Sequence, residues 1–143
     1  MNTMAPARVV ALQARRARLT PGPAAAAQAR QQVREAIGAW DVLVDADIAV
    51  LLTSDLVTHA MWHAVDHAVI LGIRCGGGRL RVDVHDAAPS PPDLGNPPAD
   101  RQAWPGLMLV SRLAAEWGCY QTPAGKAVYF ALACRPEFPS APA

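Results

Sequence analysis

Apolar positions along the chain change period partway through, and that change divides it into elements. From Ala24 to Trp40 an alanine-rich run places Ala29, Val33, Ala36, Ile37 and Trp40 at helical spacing. The turn Thr20-Pro21-Gly22-Pro23 ahead of it delivers a proline to the helix start. A second helix is predicted from a cap at Asp45 or Asp47 to about Ala64, with Ile48, Leu51, Leu52 and Leu56 as its apolar stripe. The period then becomes that of strands over 68–75 and 80–86, joined by Gly76-Gly77-Gly78. In the second of these, Leu80, Val82 and Val84 face one way and Arg81, Asp83 and His85 the other. Val9-Val10-Ala11-Leu12 predicts a short strand over 8–12.

The segment 87–105 carries six prolines (89, 91, 92, 97, 98 and 105), which exclude helix and central strand. A loop of that length in a compact domain is a functional lid or a disordered segment. An apolar helix is expected over 106–117, capped by Gly118. A hairpin closes the fold, with strands 119–122 and 127–133 around Pro123-Ala124-Gly125. The sum is a sheet with helices on one face, a two-layer arrangement of the α+β class. The expected division is an N-terminal strand and basic segment over 1–18, a domain over 19–134, and a flexible Pro/Ala tail over 135–143.

Composition narrows the function classes. The 143 residues suit one domain, 52% of them are hydrophobic and 17% charged, and the balance is globular. A net charge of +1 offers little electrostatic capture of nucleic acid or membrane. The cluster Arg15-Arg16-Ala17-Arg18 reads as a solvated strand end before it reads as a nucleic-acid arm. Cys75, Cys119 and Cys134 are odd in number and form no C-x-x-C pair, as expected of reduced cytosolic thiols. With no bilayer-length apolar run and no signal-type N-terminus, the expected location is the cytoplasm.

Candidate chemistry concentrates on the second helix. Asp55 and His59 lie one turn apart within the apolar stripe, where polar groups must be hydrogen-bonded, paired or used. Two readings stand: a core Asp–His pair, or the floor of a ligand pocket. His59 and His63 also share a face in the H-x-x-x-H spacing of zinc ligands, but the companion glutamate of the zinc-protease motif is missing. A Ser-His-Asp hydrolase has less support, because no G-x-S-x-G elbow occurs.

Four collinear segments resemble the small histidine kinase-like (GHKL, Bergerat-fold) ATP-binding regulators of the actinobacterial anti-sigma-factor serine kinase type. The family box S-E-L-V-T-N-A-x-x-H is similar to Ser54-Asp55-Leu56-Val57-Thr58-His59-Ala60-Met61-Trp62-His63. The strand ending V-x-V-x-D-x-[SG] is similar to Val82-Asp83-Val84-His85-Asp86-Ala87-Ala88. G-R-G-L-x-L-V-x-x-L-A-x-x-W-G is similar to the run from Trp104-Pro105-Gly106-Leu107 to Trp117-Gly118, and P-x-G-K-T-V-W to Pro123-Ala124-Gly125-Lys126-Ala127-Val128-Tyr129. The resemblance covers about Leu19 to Ala133. It implies a two-layer α/β sandwich with a mixed, mostly antiparallel sheet, and an intracellular regulator that binds ATP and Mg²⁺ and phosphorylates a serine of a STAS-type anti-sigma antagonist. A sigma factor is the other implied partner, and a homodimer is left open.

The same resemblance assigns roles. Asp55 takes the place of the catalytic carboxylate, one methylene shorter than Glu. His59 replaces the asparagine that holds Mg²⁺, and imidazole is a poor magnesium ligand. Asp86 matches the aspartate that reads the adenine amino group, with Ala88 in place of Gly or Ser beside it. Trp104-Pro105 replaces Gly-Arg at the end of the lid, Gly106 and Leu107 keep the glycine-led helix start, and Ala127 replaces a threonine near the base. His63 closes the box as its last nucleotide-site residue. Two functions follow as alternatives: an ATP-binding serine/threonine kinase, or a pseudokinase that keeps the partner-binding surface with weak or no ATP binding.

Overall fold

The computed structural model describes residues 12–63, 67–87 and 108–135. Five strands form one sheet in the order β1-β2-β3-β5-β4, namely β1 Gln13–Leu19, β2 Val69–Gly76, β3 Arg79–Asp86, β4 Glu116–Thr122 and β5 Gly125–Ala133. Every pairing among the described residues is antiparallel, in keeping with the mostly antiparallel sheet expected. The helices are α1 Ala25–Ala39, α2 Ala46–His63 and α3 Met108–Leu113. The result is the expected two-layer α+β sandwich.

The core sits between the sheet and the helices. Ala25, Ala29, Val33 and Ala36 bury one face of α1, so small side chains let it approach closely. α2 contributes Leu52, Leu56 and Val57, all fully buried. Leu51, expected in that stripe, is 40% exposed, because the buried arc of α2 turns away from it. Asp45 is the cap: its Oδ1 accepts the Ile48 N–H at 3.1 Å. From the sheet, Val69, Leu71, Ile73, Leu80, Val82, Val84, Val128 and Phe130 point into the same layer. Two-residue β2–β3 turn geometry requires positive φ, and Gly77 (63°) and Gly78 (78°) supply it.

The strand expected over 8–12 lies, but for Leu12, outside the described residues, and Gln13–Leu19, read from sequence as a basic segment, is a strand. One expectation is corrected. The helix expected over 106–117 ends at Leu113, and Trp117 and Gly118 belong to β4. Trp117 pairs with Phe130, and Gly118 lies beneath the Tyr129 ring, where a Cβ would come within 3.1 Å of Cε1. Cross-strand packing therefore wins over helical periodicity.

Candidate functional site

β3 sends Leu80, Val82 and Val84 toward the helices, and Asp86 follows on the same face. The β3–β5 register sets Asp86 opposite Lys126. Lys126 Nζ lies 3.2 Å from Asp86 Oδ2 and 3.4 Å from Oδ1. Both side chains are almost fully withdrawn from water, 4% and 2% exposed. Charges at that depth persist only when paired, so each group is the condition for burying the other.

The turn before β5 makes the pair possible. Gly125 N–H donates to Thr122 Oγ1 at 3.0 Å, which tightens the β4–β5 turn. A Cβ on Gly125 would run into the Asp86 carbonyl oxygen and the Ala87 backbone. Glycine thus lets β5 start close against the end of β3 and presents Lys126 as its first inward side chain. Sequence reasoning singled out Ala127 instead. Ala127 pairs with His85, so its side chain lies on the helix-free face, opposite to that of Asp86. The structure does not bring Ala127 and Asp86 together. Lys126 is the residue that the sequence reading missed.

On α2, Arg30 Nη1 of α1 donates to Ser54 Oγ at 3.0 Å and fixes the start of the motif box. Asp55 is half-buried and makes no hydrogen bond or ion pair among the described residues. Partial burial alone raises its carboxyl pKa above the ordinary 3.8. His59, one turn on, is buried at 7% exposure. The Asp55–His59 core pair, one of the two readings of this stripe, is not formed. No group of three or more His, Cys, Asp or Glu able to hold a metal ion occurs among the described residues. The side chain of His63, together with Ala88, Gly106 and Leu107, lies outside the described residues.

The residues present fit ATP and Mg²⁺ poorly. Magnesium selects hard oxygen ligands, and His59 presents a ring nitrogen. Asp86, to which the resemblance gives the adenine-reading role, is paired with the buried Lys126 ammonium. No described helix is long and apolar enough to cross a membrane.

No protein-family model and no curated protein matches this sequence. Among solved structures, the chain is similar to the crystal structure of the RsbU and RsbW domains of Rv1364c from Mycobacterium tuberculosis. The TM-score is 0.64 at 20% sequence identity, over 87% of this chain and 33% of that one. The chain therefore spans about a third of that protein's length in the crystal. What the likeness shows is the fold, a two-layer α+β sandwich.

Proposed function

We propose that this chain is a cytoplasmic regulatory domain of the anti-sigma kinase type, which acts by binding a STAS-type antagonist and/or a sigma factor, and whose ATP site is degenerate. The observation that carries the reading is His59, a buried imidazole where the resemblance places the asparagine that holds Mg²⁺ through a hard oxygen. Support for the regulatory part comes from the four collinear motifs and from the likeness to a structure containing an RsbW domain. Phosphoryl transfer depends almost wholly on positioning and electrostatics, so a site without its metal amide and lid arginine binds partners better than it turns over ATP.

The test is calorimetric titration with ATP and ADP, with and without Mg²⁺. The wild type is expected to bind weakly and independently of Mg²⁺. His59→Asn restores an oxygen ligand and is expected to introduce Mg²⁺ dependence. Tight, Mg²⁺-dependent binding by the wild type overturns the degenerate-site reading and favours an active kinase.

A further inference from the structure

The face of the sheet turned away from the helices holds a feature that the nucleotide-site reading does not use. We propose that a shallow depression over Gly72, on that helix-free face, docks a carboxylate-bearing segment of a partner protein. This inference stands independently of the function proposed above.

Gly72 forms the floor. It sits in the middle of β2, between Arg16 of β1 and Asp83 of β3. Nothing local demands glycine there. Its φ is not in the left-handed region, and an added Cβ would meet Asp83 and His85 only at 3.9–4.0 Å, ordinary contact distance. A strand-interior glycine without a backbone reason weakens the strand and marks a place for close approach by something else.

The rim is cationic. Arg16, Arg18 and Arg74 point to this face by register, are exposed, and make no hydrogen bond or ion pair among the described residues. Acidic groups on this face are already engaged. Asp83 is 3% exposed and holds Arg81 by two bonds of 2.9 and 3.0 Å, and Glu116 takes Arg79 at 3.0 Å. Tyr120 donates to Asp83 Oδ2 at 2.7 Å, so the carboxylate is fully spoken for. Arg81 uses Nε and Nη2 on Asp83, which leaves Nη1 directed elsewhere. A fixed arginine framed by tyrosines is the kind of anchor that dominates protein interfaces.

Charge complementarity therefore selects an acidic occupant, and two observations favour protein over nucleic acid. Arg81 covers the face of the Tyr129 ring at 3.9 Å from its centroid, which removes a platform for base stacking. The chain as a whole carries only +1, so there is no extended field of the kind that a phosphate backbone follows. A second copy of the chain is disfavoured as well, since two such faces would oppose arginine to arginine.

The experiment is fluorescence anisotropy on the full chain with three labelled probes: a peptide of alternating glutamate and serine, its glutamine counterpart, and an oligothymidylate of equal charge. Saturable, salt-sensitive binding of the glutamate peptide is expected, with the other two weaker. Gly72→Val fills the depression without changing charge, and Arg16→Glu with Arg74→Glu reverses the rim. Each is expected to weaken the peptide about tenfold while circular dichroism stays native. Tighter binding of the oligothymidylate, an unchanged affinity in Gly72→Val, or no saturable peptide binding overturns the proposal.

Discussion

Replacing Lys126 by Met leaves the Asp86 carboxylate buried at 2% exposure with its cation gone. Methionine keeps the length and apolar stem of lysine, so the change is electrostatic rather than a cavity. Breaking a buried pair from one side costs about 3–5 kcal/mol, because an uncompensated charge stays in a low-dielectric setting. Against a total stability of about 5–15 kcal/mol, that is at least about a fifth of what holds a domain of this size together. Asp86→Leu, which strands the ammonium instead, is expected to cost a similar amount. The double variant Asp86→Leu/Lys126→Met removes both charges and is expected to recover most of the loss, since an apolar pair of similar volume is neutral or better there. An exposed pair gives the contrast: Arg34 and Asp47 meet at 3.5 Å with side chains 55% and 89% exposed, so Arg34→Ala is expected to change stability by under ~0.5 kcal/mol. Urea denaturation followed by far-ultraviolet circular dichroism at pH 7 measures all four. Single losses below ~1 kcal/mol, or a double variant as damaged as the sum of its singles, would refute the coupling. The result also governs how nucleotide data are read, since an Asp86→Ala protein that binds no ATP has first lost the partner of a buried lysine.

Other perturbations test the remaining geometry. Burial raises the Asp55 pKa above 3.8, so the folded state holds that proton more readily and stability falls as pH rises from 3.8 through the raised value. Asp55→Asn is therefore expected to be more stable than the wild type at neutral pH, with the gain vanishing in acid; a thermal-melt series across pH checks it. His85 moves the opposite way: burial, with Arg16, Arg74 and Arg81 nearby, lowers its pKa below 6.5 despite Asp83. Its contribution is intact above 6.5 and lost as pH falls through 6.5 toward the lowered value, so His85→Gln is expected to flatten the stability slope there. Gly125→Ala pushes a methyl group into the Asp86 and Ala87 backbone and is expected to cost about 1–3 kcal/mol in urea denaturation.

The parts legible from sequence are those whose periodicity is local. The alanine face of α1, the Asp45 cap and the alternation of β3 follow from spacing within a few residues. β1 is not legible as a strand because Gln13-Ala14-Arg15-Arg16-Ala17-Arg18-Leu19 lacks strand-forming side chains; it is held extended by pairing with β2, from Gln13↔Cys75 to Leu19↔Val69. α3 was overextended because Trp117 continues a helical apolar spacing that the sheet overrides. Lys126 escaped notice for a topological reason. Its pairing with Asp86 depends on β5 sitting beside β3 rather than beside its sequence neighbours alone, and nothing within either segment encodes that adjacency.

β3 carries two aspartates three residues apart, and an odd separation on a strand sends them to opposite faces. Both are buried, Asp83 at 3% and Asp86 at 4%, although among the described residues only the inner face has a helical layer above it. The outer face covers its own carboxylate, with Arg81 across it and Tyr120 bonded to it. The physical consequences of the two pairs differ. The inner ammonium is enclosed, so its interaction with Asp86 feeds into folding stability. The outer guanidinium is 31% exposed, and its two bonds to Asp83 fix its orientation. On the proposed reading, substitutions at Lys126 change stability with little effect on partner affinity, and substitutions at Gly72 change partner affinity with little effect on stability. That separation is what a domain retaining its fold for binding rather than for ATP chemistry requires.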